Sequence, residues 1–334
     1  MRFTILGGGH GAAVYLPALK RLGHEPVVLA ARSPRPGLEL EQTSDWRAAI
    51  ARKDVDAVVI AFPPPLQHDA VLAVAALGKP FICEKPAGMN PAETSAMAGA
   101  ARKSGLPHAV GYQFRYEPAF RELKRLVSTG EIGDIERVEV DWCVGGQPSR
   151  TRAWSWRNEA SVGGGVPLNF ATHALDYLRW FCGEATVVGR ASQILVDARK
   201  DEGGAPREVT APDTCDFLLR FESSAIASMR VSNVTLAPIG HRIVMRGSRG
   251  TVELWHRPPF RETDMTFTVM RPDGQSRQLS GTELGMAAGV TDSRIGPTCG
   301  LISDFAAALS GEGVPDMPTL QDALAVQRLL AWPA

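Results

Sequence analysis

The chain has 334 residues, enough for two domains of ordinary size. A hydrophobic fraction of 44% and a charged fraction of 22% suit a globular protein with a proper core, and 36 basic residues balance 36 acidic ones, which excludes the broadly basic surface of a nucleic-acid binder. No apolar stretch approaches the roughly 20 residues of a membrane-spanning helix, and the apolar run in MRFTILGGGHG is too short for a signal peptide. Five scattered cysteines (Cys83, Cys143, Cys182, Cys215, Cys299) show no C-x-x-C spacing, so neither a disulfide framework nor a metal site is expected, and a reduced, cytoplasmic compartment is.

The first part of the chain alternates short β-rich runs with helical patterns. RFTIL (2–6) reads as a strand and GAAVYLPALKRLG (11–23) as a helix that Pro17 should kink, because proline removes a backbone donor. Strands follow at 26–30, 55–62, 80–84 and 107–112, separated by helical patterns at 66–78 and 91–105. The second of these opens on proline and closes on glycine, the expected order for a helix. Strand and helix in this rhythm mean crossover units and a parallel sheet.

The second part changes character. A helix at 117–130 leads into a strand at 135–144, and after a glycine-rich turn and another helix come closely spaced strands at 213–221, 225–233, 241–247, 250–255 and 265–270. Short turns between neighbouring strands indicate an antiparallel or mixed sheet. Two helical patterns, LISDFAAALSG and LQDALAVQRLLA, close the chain, and residues 198–212 read as an exposed loop. The domain boundary falls near residue 115, giving domains 1–115 and 116–334.

Between the first strand and first helix lies GGGHGA, which fits G-x-G-x-x-A through Gly7, Gly9 and Ala12. Chemistry asks for a tight turn at Gly7, close backbone approach to a pyrophosphate at Gly9 and close helix–sheet packing at Ala12. The helix start adds unpaired N–H groups for the anion. His10 sits in the same loop. At the end of the second strand, where a site for NAD carries an acid, this chain has Arg32 and Ser33. A planar multi-donor guanidinium suits a 2′-phosphate, so NADP is the expected cofactor with NAD as the alternative, unless Arg32 is a solvated surface residue.

Glu84 and Lys85 end another parallel strand, on the side where such sheets bind ligands. A partly desolvated lysine there can hold a substrate oxygen and assist proton transfer as hydride moves. The ordered set GGGHGA with YLPAL, FPPPLQHDAVLAVAALGKPFICEKP, YQFRYEPAF, TGEIGDI and GGGVPLNFATHALDYLRWFCG resembles the Gfo/Idh/MocA family over most of the chain. The resemblance implies an α/β protein, with an N-terminal Rossmann doubly wound parallel sheet and a C-terminal α/β domain bearing a large, mostly antiparallel open sheet. It further implies hydride transfer to or from sugars, polyols or related carbonyl compounds, and a homodimer or homotetramer. Lys85 falls on the catalytic lysine of the E-K-P motif, and the Lys85–Pro86 bond is expected to be cis. With it go the cofactor-binding positions Gly7, Gly9, His10, Gly11, Ala12, Arg32, Ser33, Pro63, His68 and Glu84.

The family's second catalytic segment reads roughly G-G-G-x-x-x-D-x-x-x-H. Here it reads Gly163-Gly164-Gly165, then Asn169 and His173. His173 falls on the histidine, a proton donor or acceptor in a useful pH range, and Asn169 replaces the aspartate. An amide orients by hydrogen bonds and cannot take a proton. Asp176 matches H-x-x-D and either orients His173 or pairs locally. Arg115 is read as reaching substrate or as half of an ion pair. Trp154, Trp156 and Arg157 are read as the wall of a sugar pocket or as ordinary packing. The expected activity is an NADP-preferring oxidoreductase on a sugar or cyclic polyol. The alternatives are a redox-neutral NAD-dependent glycoside hydrolase and a dinucleotide-binding sensor without catalysis.

Overall fold

A computed structural model of the chain describes residues 1–258, 260, 264–285 and 292–332. Strands β1 (Arg2–Leu6), β2 (Glu25–Ala30), β3 (Glu41–Thr43), β4 (Ala57–Ile60), β5 (Phe81–Cys83) and β6 (His108–Val110) form one sheet in the order β3-β2-β1-β4-β5-β6. Every pairing in it is parallel. The order reverses beside β1, so the carboxyl ends of β1 and β4 flank the crevice where such sheets bind ligands. The central strands β4 and β5 are apolar on both faces, as covered parallel strands must be, whereas the edge strand β3 is polar. β4 is fully buried along its length.

The helix read at 11–23 is helical from Gly11 to Arg21 but changes character just before Pro17. Residues Gly11–Tyr15 form a wide π turn, with Leu16 N–H bonded to the Gly11 carbonyl, and the α-helix α1 (Leu16–Arg21) starts with Pro17 in its first turn. Proline removes one backbone donor, and the wide turn directly before α1 is where the regular α-helical bonding gives way. Two short elements escaped the sequence reading: β3 and helix α2 (Trp46–Ala51), which is capped by Asp45 accepting from Ala48 N–H. Helices α3 (Pro64–Ala76) and α4 (Pro91–Ser104) complete the crossovers, α4 running from an Asn90 cap to a left-handed Gly105.

The chain divides into two compact units, Met1–Glu117 with Val290–Arg328, and Pro118–Gly289 with Leu329–Ala334. The second unit contains helix α5 (Pro118–Ser128) and an eight-stranded sheet. That sheet is built from β7 (Ile135–Gly145), β8 (Ala185–Gln193), β11 (Thr214–Phe221), β12 (Ile226–Thr235), β13 (Gly240–Gly247), β14 (Gly250–His256), β15 (Met265–Met270) and β16 (Ser276–Leu279). Its order is β16-β15-β14-β13-β7-β12-β11-β8, antiparallel except for the β7–β12 pair. Helices α6 (Gln147–Thr151) and α7 (Thr172–Cys182) lie in this unit.

The segment read as an exposed loop at 198–212 is instead a two-stranded hairpin of β9 (Ala198–Lys200) and β10 (Pro206–Glu208). Tertiary contacts override its loop-like composition. Buried Arg199 donates to the carbonyls of Ser149 and Arg152 at the end of α6, and Trp154 N–H bonds the Lys200 carbonyl.

Residues 290–328, assigned from sequence with the second domain, cluster with the first unit. Helix α8 (Ile295–Leu309) begins six residues before the pattern that announced it, and α9 (Leu320–Leu330) follows. Leu301, Ile302 and Phe305 are fully buried in one core with Phe3, Ile5, Tyr15 and Leu19. Gly300 lets α8 come close to Tyr116, whose hydroxyl donates to Asp304.

Candidate functional site

The glycine loop is shaped by what surrounds it. Gly7 has φ +118°, and a Cβ there would collide with the Ala61 carbonyl oxygen, while its N–H bonds the Ala30 carbonyl at 2.8 Å. Gly9 is exposed, and nothing lies within 4 Å of where its Cβ would be. The backbone is thus bare toward the space in front of the helix start, the form a pyrophosphate requires. Gly11 packs closest against the strand, where a Cβ would sit 2.7 Å from Ile5 Cγ2, and Ala12 packs, half-buried, against the same core.

Buried polar groups gather around Glu84. The carboxylate is 7% exposed and accepts from the Tyr15 hydroxyl at 2.8 Å, and His10 Nε2 lies 3.5 Å from its Oε1. Gly111 leaves room for it, since any Cβ there would collide with the carboxylate. Burial, reinforced by Glu84, holds the Tyr15 phenol well above its usual range. Burial also lowers the His10 pKa, against the pull of Glu84 and with help from Arg294 and Lys85. His10 is therefore a neutral imidazole at pH 7.

Lys85 follows, half-buried, and the Lys85–Pro86 bond is cis. The backbone beyond it is held by three buried side chains that the sequence reading missed. Gln67 Oε1 accepts from Gly88 N–H, Thr94 Oγ1 donates to the Ala87 carbonyl, and Gln327 Nε2 donates to the carbonyls of Pro86 and Gly88. All three are at most 2% exposed. Leaving any of these groups unpaired would cost about 1–3 kcal/mol, so the base of Lys85 is rigid. Their only sequence signal was a polar residue inside an otherwise apolar helical pattern.

The remaining first-unit positions differ in setting. Arg32 and Ser33 are exposed just past the end of β2. Pro63 is exposed at the cap of α3, and His68, on that helix, bonds Asp69 at 3.0 Å. Arg115, read as reaching toward substrate, is 4% exposed and donates to Asp322 Oδ1 at 3.0 Å, which is the ion-pair reading of that residue.

In the second unit, the turn Gly163–Gly165 crosses tightly behind residues 157–159. A Cβ on Gly164 would sit 2.5 Å from the Glu159 carbonyl oxygen, and Gly165 N–H bonds the Arg157 carbonyl. Next comes a π turn, Pro167–Ala171, running directly into α7. The step from Asn169 to His173 therefore passes through a wider turn than a regular α-helix gives. Asn169 Nδ2 donates to the Gly165 carbonyl at 2.8 Å and the Gly163 carbonyl at 3.3 Å. His173 and Asp176 are 6% and 1% exposed. One turn on, the Tyr177 hydroxyl lies 2.9 Å from His241 Nε2, and Trp142 stacks on His241 at 4.4 Å between centroids. Complete burial drives the His241 pKa down to about 3.

Trp154 anchors the 198–208 hairpin. Its indole N–H donates to the Glu208 carbonyl, and the Arg207 guanidinium lies 3.3 Å over its ring. That covers one of the faces a sugar would stack on. Arg157 is exposed with its guanidinium 4.8 Å over Trp156. Among the described residues no group of three or more His, Cys, Asp or Glu could hold a metal ion, and no helix is long and apolar enough to cross a membrane.

A six-stranded parallel sheet with a bare glycine turn at its switch point defines a dinucleotide-binding domain of oxidoreductase type. Residues 1–112 match the model of the oxidoreductase family with an NAD-binding Rossmann fold, and residues 120–253 match the GFO/IDH/MocA C-terminal domain. The chain belongs to the Gfo/Idh/MocA family of NAD(P)-binding oxidoreductases. It is 30% identical to levoglucosan dehydrogenase of Pseudarthrobacter phenanthrenivorans over 65% of this chain and 59% of that one. With myo-inositol 2-dehydrogenase of Thermotoga maritima it shares 27% identity over 84% of this chain and 81% of that one. The solved structure of levoglucosan dehydrogenase in complex with NADH and levoglucosan superposes with a TM-score of 0.84 at 23% identity, covering 98% of this chain and 94% of that one.

Proposed function

We propose that the protein is an NADP-preferring dehydrogenase or reductase that interconverts a hydroxyl and a carbonyl group on a sugar or cyclic polyol. The observation that carries the reading is the bare Gly7–Gly9 backbone in the same unit as Lys85, whose backbone is fixed by Gln67, Thr94 and Gln327. The relatives named for levoglucosan and myo-inositol support the substrate class, and the absence of an acid directly after β2 supports the phosphorylated dinucleotide. The bound nicotinamide would supply the hydride acceptor or donor. Lys85 holds the substrate oxygen and passes its proton, and the resemblance carries a further acid or base role onto His173. The Tyr15 hydroxyl donates to Glu84, the residue before Lys85, and so fixes that side chain beside it in sequence. Asn169 shapes the glycine turn ahead of His173 and takes no proton.

The test is a screen with NADP⁺ and NAD⁺ against sugars, inositols and their keto forms, following the reduced nicotinamide. Lys85→Ala should lower kcat at least about 100-fold with dinucleotide affinity nearly unchanged, as loss of a proton-transfer group does. Binding without turnover across the panel would favour a sensor, and a cofactor that copurifies without exchanging would favour redox-neutral hydrolysis.

A further inference from the structure

We infer that Arg35, and not Arg32, is the residue that selects the phosphorylated dinucleotide. This inference rests on the NADP reading above and names the side chain responsible. Between the end of β2 and β3 the chain reads ARSPRPGLEL (31–40), with two arginines and one carboxylate, the exposed Glu39, which makes no ion pair among the described residues. Arg32 is exposed and makes no hydrogen bond or ion pair among the described residues. Arg35 is also exposed, yet its side chain lies along the glycine loop. A Cβ built on Gly8 would be 3.0 Å from Arg35 Nε and 3.6 Å from its Cγ. The same Cβ would be 2.9 Å from Ala31 Cβ, so two minimal residues leave the slot in which the arginine rests.

The backbone of Arg35 is unusually constrained for a surface loop. Prolines on both sides limit the dihedral angles on either side of the residue. Gln42, on β3, closes a reciprocal pair with it, accepting from Arg35 N–H at 2.6 Å and donating to the Arg35 carbonyl at 3.0 Å. No acidic side chain pairs with the Arg35 guanidinium among the described residues. A long cation normally loses rotamer freedom only for a partner. Here the backbone of Arg35 is held and its side chain, with no ion pair among the described residues, lies next to the loop that receives a pyrophosphate, on the side where the adenosine ribose lies in this fold. A dianionic 2′-phosphate is the partner its forked donors fit.

The experiment measures binding without turnover, by fluorescence titration of NADPH and NADH and by calorimetry with 2′,5′-ADP and AMP. The wild type should bind NADPH and 2′,5′-ADP more tightly than NADH and AMP. Arg35→Ala should raise the Kd for NADPH about 10–100-fold, the loss of a charge-assisted contact, while NADH changes by less than about 3-fold, a result that also reports an intact fold. Arg32→Ala should move either ligand by less than about 3-fold, and Gln42→Leu should show part of the Arg35→Ala loss. Equal wild-type affinity for the two dinucleotides would refute the NADP reading itself. A wild-type preference that survives Arg35→Ala and disappears in Arg32→Ala would overturn the assignment and leave that reading standing. Equal losses for NADPH and NADH in Arg35→Ala would make the residue an adenine contact and overturn the phosphate role.

Discussion

Replacing Asn169 by aspartate restores the residue that the resemblance leads one to expect, and the structure predicts that it harms the protein. The Asn169 amide donates to the Gly165 carbonyl at 2.8 Å and the Gly163 carbonyl at 3.3 Å. A carboxylate has no proton to give, so both bonds vanish and two carbonyl oxygens face a negative oxygen. Each bond is worth about 0.5–1.5 kcal/mol net, and water reaching this half-buried side chain limits the added repulsion. A total of about 2 kcal/mol follows, which lowers Tm by about 4–8 °C for a unit of this size. Protonated aspartic acid regains one donor, so folding raises the pKa of the new carboxyl above its unfolded value of about 3.9. A raised folded pKa means that the native variant binds more protons than the unfolded chain. Its stability is therefore greatest in acid and falls as pH rises through the folded pKa. Thermal melts of both proteins from pH 4 to pH 8 should show a gap that widens with pH, together with turnover no higher than wild type. A variant as stable as wild type at pH 8, or a gap independent of pH, would refute the donor role of Asn169.

Two further outcomes test the fold. The folded pKa of His241, driven to about 3 by burial, lies below its unfolded value of about 6.5, so the unfolded chain binds more protons between those limits and stability must fall as pH drops through them. His241→Gln should flatten that acid limb, which loses at most about 1.4 kcal/mol per pH unit to this residue; an unchanged limb in urea titrations would show that His241 does not titrate on unfolding. Phe305→Ala, removing a fully buried ring of α8 from the first unit's core, should cost about 3–5 kcal/mol in chemical denaturation. A loss under 1 kcal/mol would mean that α8 is peripheral to that core.

The crossover units were legible because β1, β2, β4, β5 and β6 are largely apolar runs, and the helical pattern between β5 and β6 opens on proline and closes on glycine. Strand β8 was missed because its ATVVGRASQ alternates weakly and carries a glycine at its centre, and β16 because SRQL has a single buried residue. The 198–208 hairpin was misread because DEGGAP dominates its composition, while Arg199 and Trp154 supply its support from outside the segment. The glycine loop and the E-K-P strand end stood out as local motifs. The clamps on Lys85 did not, since Gln67, Thr94 and Gln327 come from three distant helices and only folding brings their amide and hydroxyl groups to one stretch of backbone. Arg35 went unnoticed beside Arg32 because the slot against Gly8 is a matter of packing.

The discontinuous core of the first unit sets an order of events during synthesis. All six parallel strands emerge before residue 111, but Leu301, Ile302, Phe305 and Met317, which cover part of the same apolar cluster, come from the far end of the chain. At about 5–20 residues per second, the ribosome takes roughly 10–40 s to bridge that interval. Throughout it the nascent sheet presents an unsealed apolar surface, so the nucleotide-binding half cannot complete its core until nearly the whole chain has been made.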